Sequence, residues 1–180
     1  MRASRLLIAG IVAVASVGLA HAARIAPIVG SIPPDFKARN AVTGEDIQLS
    51  AQKGKVVVLT FWATWCGPCR KELPILENVQ TKLGKDKITV FAVSYNEDAD
   101  AFRAMKKAAK AWQLTLIEDR SGRIAGQYAI DSIPHLFLIG RDGTVLATHT
   151  GYGEGSIDQL VDDLNAALAM PDSTDSTVKN

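Results

Sequence analysis

The chain has 180 residues, 47% of them hydrophobic and 22% charged, and a formal net charge of +1. That is enough apolar material for a single core, without the basic excess that nucleic acid binding demands, so no nucleic-acid partner is expected. Its two cysteines are too few for a four-thiolate zinc site.

At the N-terminus Arg2 and Arg5 precede an apolar run from Leu6 to Ala20, and Ala20-His21-Ala22 reads as a small-x-small cleavage site. Residues 1–22 are thus expected to be a signal peptide or an uncleaved anchor, and the protein to be periplasmic or otherwise exported. The run falls short of the roughly 20 residues of a spanning helix, which favours cleavage and a soluble product. No cysteine follows it to carry a lipid, and cleavage after Ala22 would leave a formal charge of −1. A Pro-containing lead, 23–34, comes next. Phe36 to Leu49, interrupted by Thr43-Gly44-Glu45, suggests a hairpin, and the continuous apolar run Val56 to Trp62 suggests a buried central strand.

Both cysteines stand directly after that strand, in Trp65-Cys66-Gly67-Pro68-Cys69. A sulfur in the first turn of a helix meets unsatisfied N–H groups and the positive end of the macrodipole, which favour thiolate over thiol. If Cys66 starts the helix, its thiolate attacks a partner's disulfide and Cys69, one turn on, resolves the mixed disulfide. Pro68 is tolerated in a first turn. Two blander readings compete. Zinc would need extra ligands, for which only His135 and His149 are candidates in the mature region, neither at zinc-finger spacing. A structural disulfide closing so short a loop would restrict the unfolded chain little.

The helix expected from here carries Leu76, Val79 and Leu83 on one face and stops near Gly84, with Pro74 as a kink. Glu72, three residues past Cys69, is placed to accept or relay the resolving thiol's proton, unless it is a plain surface glutamate. Ile88 to Val93 reads as a second buried strand, which makes the unit a right-handed parallel crossover. Asp100 to Trp112 suits an amphipathic helix with Phe102, Met105 and Trp112 inward and Lys106, Lys107 and Lys110 solvated. Leu136 to Ile139 and Thr144 to Thr148 flank Gly140-Arg141-Asp142-Gly143, a hairpin signal. A last helix is announced by a Ser156/Gln159 capping box and lined by Ile157, Leu160, Val161, Leu164 and Leu168. Residues 171–180 read as a flexible polar tail.

The segment Phe61-Trp62-Ala63-Thr64-Trp65-Cys66-Gly67-Pro68-Cys69-Arg70-Lys71-Glu72-Leu73-Pro74 resembles the thioredoxin superfamily, specifically its exported TlpA/ResA-like branch of thiol:disulfide oxidoreductases. The likeness runs from about Asp35 to Met170 and is specific again at Ile133-Pro134. It implies an α/β thioredoxin-like domain over 35–170: a mixed central sheet flanked by helices, with an N-terminal hairpin and a central helical insertion between Tyr95 and Tyr128. It implies a cis Pro134 opposite the dithiol, with the Ile133 backbone free to pair with an extended substrate, where proline in general would sooner be trans on an edge strand. His135 then either tunes the thiolate or touches substrate, against a plain solvent-facing histidine. Trp65, Gly67 and Pro68 join the recognition face while Trp62 is buried. The branch places a functional acid where Glu72 stands. Thr60 departs from the buried aspartate of cytoplasmic thioredoxins, which shifts proton transfer toward Glu72 or water.

The function implied is reduction of disulfides in other exported proteins, with cytochrome c maturation as a family-level role, a membrane thiol relay as electron donor and no cofactor or metal. An oxidase or isomerase on the same fold is the first alternative. A copper-binding module is the second, since thiolate and histidine suit Cu(I), although copper-carrying relatives space their cysteines one residue wider.

Overall fold

A computed structural model describes residues 25–151, 153 and 155–171. The expected signal or anchor segment and the tail from 172 onward lie outside the described residues. Among those residues no helix is long and apolar enough to cross a membrane.

Strands β1 (Lys37–Arg39) and β2 (Asp46–Gln48) form the expected hairpin. The main sheet holds β3 (Val56–Trp62), β4 (Ile88–Ser94), β5 (Thr115–Ile117), β6 (His135–Ile139) and β7 (Val145–Thr150) in the order β5-β4-β3-β6-β7. β3 and β4 run parallel, as do β4 and β5, while β6 pairs antiparallel with both β3 and β7. The hairpin is tied to the outer edge of β5 by Ala41 N–H donating to Leu116 O at 2.8 Å.

Helices α1 (Gly67–Leu83), α2 (Ala99–Ala108), α3 (Arg123–Gln127) and α4 (Ser156–Ala169) complete the mixed α/β architecture of a thioredoxin fold. Because a strand's side chains alternate, β3 feeds two cores at once. Val56, Val58 and Trp62 pack with Leu73 and Leu76 of α1 and with Leu160 and Leu164 of α4. Val57, Leu59 and Phe61 face the other way, onto Phe36, Phe91, Tyr128 and Phe137. Burial on both faces explains why β3 and β4 lack polar alternation.

Several elements differ from expectation. The central segment is not wholly helical, since β5 lies between α2 and α3 and supplies the sheet's fifth strand. Three apolar residues are too few to show a period. α2 starts on an Asp98 cap and ends at Ala108 rather than Trp112. The Glu77 carboxylate on α1 accepts the N–H groups of Gln113 and Leu114 and turns the chain into β5. α1 runs unbroken through the exposed Pro74 and stops at Gly84, whose φ of +77° suits glycine. α4 has no capping box. Its chain enters through Gly155 at φ +81°, and the Ser156 hydroxyl turns back to donate to Gly153 O at 2.7 Å. Val161 is exposed, and Ala167 is buried in its place.

Candidate active site

β3 ends in the interior and hands the chain to Ala63, Thr64 and Trp65, and Cys66 N–H donates to Ala63 O at 3.1 Å to close the turn. Cys66 is the N-cap of α1, with φ −84° and ψ 104°, and its Sγ accepts the Cys69 N–H at 3.2 Å. A sulfur thus performs the service that serine or aspartate oxygen usually gives a helix start. The structure shows the oxidised form, with a Cys66–Cys69 disulfide. Its two halves are unequal: Cys66 is 5% exposed and Cys69 is fully buried. Only Cys66 therefore presents an edge to a partner, and on reduction the N–H already aimed at its sulfur and the helix dipole behind it favour its thiolate.

The surrounding loop is clamped by residues that the sequence did not single out. Thr64 donates its backbone N–H and, at 2.9 Å, its hydroxyl to the Glu97 carboxylate. Asn96, held at φ +45°, turns its carbonyl to the Trp65 indole N–H at 3.1 Å. Trp65 is fixed at one edge while 58% of it stays exposed. The available signal was topological, since Asn96 and Glu97 follow a strand parallel to the one that leads into the dithiol, and the loops after neighbouring parallel strands lie side by side at one edge of the sheet. A Cβ added to Gly67 would meet nothing within 4 Å, and Pro68 is exposed, so the outer face of the dithiol loop is open.

Register brings the second half of the site alongside. β6 pairs with β3 so that His135 lies opposite Phe61, and the Ile133-Pro134 bond that precedes it is cis. The Pro134 carbonyl accepts from Gly151 N–H at 2.8 Å. Ile133 makes no backbone hydrogen bond to the described residues, so its N–H and C=O are available to an extended chain. His135 is half-buried rather than solvent-facing. Its ring stacks on Phe137 at 4.8 Å, and burial holds its pKa below the ordinary 6.5 against the opposing pull of the Asp131 carboxylate. His149, the other potential ligand, lies on β7 with Nε2 3.0 Å from Asp163 Oδ2, near enough for an ion pair when protonated but misaligned for a hydrogen bond.

Glu72 sits inside, one turn beyond Cys69, 6% exposed, and its Oε1 accepts the Thr60 hydroxyl at 2.8 Å. Thr60 and Glu72 meet because strand alternation turns Thr60 toward α1. Burial pushes the Glu72 carboxyl above its ordinary 4.5, and the Thr60 bond only partly offsets this. An acid raised in the folded state favours folding below the unfolded pKa and loses that advantage as pH rises through the folded pKa. Wild-type stability is therefore expected to decline from about pH 4.5 upward through the raised value, and Glu72→Gln to flatten that part of the curve in urea unfolding at a series of pH values. Parallel curves for the two proteins would refute the burial argument. Among the described residues no group of three or more His, Cys, Asp or Glu is gathered closely enough to hold a metal ion.

Comparison with known proteins adds three findings. The pattern of the AhpC/TSA family matches residues 29–148. Thioredoxin-like protein YneN of Bacillus subtilis is 34% identical over 124 residues, 68% of this chain and 71% of that protein, and thiol-disulfide oxidoreductase ResA of Geobacillus kaustophilus is 32% identical over 130 residues, 71% and 72% of the two. The crystal structure of a putative thiol:disulfide interchange protein DsbE from Chlorobium tepidum superposes with a TM-score of 0.69 at 35% identity, covering 79% of this chain and 99% of that one.

Proposed function

Because the chain belongs to the AhpC/TSA family of thioredoxin-fold proteins and is a thiol:disulfide oxidoreductase, we propose that it is a reductant of disulfides in other exported proteins, working through Cys66 and Cys69. The observation that carries this reading is the inequality of the two sulfurs, one capping the helix at the surface and the other sealed beneath it.

In the reduced protein the Cys66 thiolate attacks one sulfur of the partner's disulfide, and the other sulfur leaves as a thiolate. The Cys69 thiol then gives up its proton, and its thiolate attacks Cys66 Sγ. The Cys66–Cys69 disulfide forms and the partner departs with two reduced sulfurs. Two electrons have passed to the partner. Glu72, buried one turn from Cys69, accepts the proton that Cys69 releases, and Thr60 holds the carboxylate in place. Ile133 pairs with the partner's extended backbone across from the cis Pro134, while Trp65, Gly67, Pro68 and His135 border the same face. The spent disulfide is re-reduced by a membrane thiol relay. The N-terminal segment, as signal or anchor, supports an exported or periplasmic location, and names such as ResA and DsbE among the relatives support a role in cytochrome c maturation.

Direction is a matter of potential, and Gly67-Pro68 resembles the reducing members. The test is the equilibrium potential of Cys66/Cys69 in the purified domain, read by thiol labelling across redox buffers. A reductant is expected near the thioredoxin value of about −270 mV. A value near the roughly −120 mV of a strong exported oxidant, a difference worth about 7 kcal/mol, would reverse the direction and leave the reacting residues in place.

A further inference from the structure

Beside the dithiol, α1 and α2 do not close on each other. Between them runs a cleft of about 570 Å³ whose walls include Trp62, Leu73, Met105 and Trp112, within the size range of ligand pockets. The gap is wide because, Met105 apart, α2 turns only alanine methyls toward it, from Ala101, Ala104 and Ala108, at positions that share one helical face. Two further observations point to an occupant. Trp62, buried to 1% exposure in the cleft wall, has an indole N–H with no hydrogen-bond partner among the described residues, a donor left without its acceptor. The cleft is also continuous with the reacting loop, since Thr64, two residues before Cys66, and Arg70, next after Cys69, both line it.

We propose that this cleft is a docking groove for an apolar segment of the substrate polypeptide that adjoins its disulfide, a specificity site that rests on the oxidoreductase reading. A substrate joined to Cys66 Sγ lies beside this surface, and at about 3.3 Å per extended residue the part of it that leaves the dithiol on the side away from Ile133 reaches the cleft within a few positions. The walls select side-chain chemistry. A charged segment would be stripped of water with nothing to pair it except Arg70, the one charged residue in the lining. Arg70 makes no side-chain hydrogen bond or ion pair within the described residues, so it repels a basic flank and tolerates an acidic one.

Two disulfide-bonded peptides of equal length test this, one with leucine and phenylalanine beside the cysteines and one with serine and glycine. Wild type is expected to favour the apolar peptide in kcat/KM by about ten- to a hundredfold, the worth of one well-buried side chain. Ala104→Arg fills the cleft from an exposed position and keeps good helix propensity. It should bring that ratio toward one through KM, and Ala108→Glu should do the same should Ala104→Arg fold poorly. Equal kcat/KM for the two peptides in wild type, or an undiminished preference in both variants, would overturn the proposal. So would a concentration-dependent dimer that Ala104→Arg disperses, because the occupant would then be a second copy of this chain. Failure of wild type to reduce either peptide would defeat the redox reading instead. The groove is then judged by titrating Trp fluorescence with the apolar peptide whose cysteines are replaced by serine, where saturable binding lost in Ala104→Arg upholds it and no binding rejects it.

Discussion

Cys66→Ser is expected to lose disulfide reduction by several orders of magnitude, down to the background of buffer thiols, while its fold stays intact. Serine is among the best N-cap residues, so its hydroxyl can take over the Cys69 N–H that Cys66 Sγ accepts, and α1 begins as before. Only the nucleophile is lost. Cys69→Ser removes a sulfur that is fully buried and cannot reach a partner directly, so attack by Cys66 still proceeds and the mixed disulfide has no internal exit. That variant should accumulate covalent complexes with disulfide-containing proteins, visible on non-reducing gels and dispersed by dithiothreitol. Cys69→Ala gives a second version without a buried hydroxyl in want of a partner. Insulin reduction followed by turbidity measures the loss. Turnover surviving in Cys66→Ser, or capture by Cys66→Ser and not by Cys69→Ser, would exchange the roles of the two sulfurs and contradict the burial that assigns them.

What the sequence declared in advance was whatever depends on near neighbours along the chain. The strand before the dithiol, the helix start at Cys66 and the turn at Gly140 to Gly143 are each fixed by a few adjacent residues, and each lies where it was expected. The partnership of Thr60 and Glu72 was half visible. Both residues stood out separately, but their hydrogen bond depends on the face of β3 that turns toward α1, which follows only once the sheet is assembled. Glu97 and Asn96 stayed unseen for the same reason in stronger form, since their ligands lie about thirty residues away in sequence and come within reach only through parallel pairing of β3 with β4. β5 has too little length to carry a pattern, and its existence rests on pairing with β4 and bridging to Asn40. The Ser156 box failed because a competing local contact, the hydroxyl to Gly153 O, was available once glycine at 155 set the entry.

The larger stability effect is expected on the far side of the sheet from the sulfurs. Phe137 on β6 is fully buried and meets Phe61 edge-on at 6.3 Å, Tyr128 at 5.3 Å and the face of His135 at 4.8 Å. Phe137→Ala leaves a hole bounded by rigid aromatic rings that have little freedom to collapse, so a loss of about 3–5 kcal/mol is expected. Against a total of roughly 5–15 kcal/mol for a domain, that is enough to bring the protein near its unfolding threshold. Urea unfolding of the oxidised form should show a lowered midpoint with an unchanged slope. A second readout ties the loss to the site. Phe137 is the surface on which His135 packs, and burial is what holds the His135 pKa below 6.5. A histidine depressed in the folded state supports folding above its unfolded pKa and withdraws that support as pH falls through the folded value. With the ring removed, His135 should titrate closer to 6.5 in NMR, and the variant should lose part of the acid-side fall in stability that wild type shows below that pH. A midpoint shift with an unmoved His135 titration would mean that the aromatic core and the residue next to the cis proline are energetically separate. Movement of both would show that the packing of this sheet face sets the charge state of the histidine next to the cis proline.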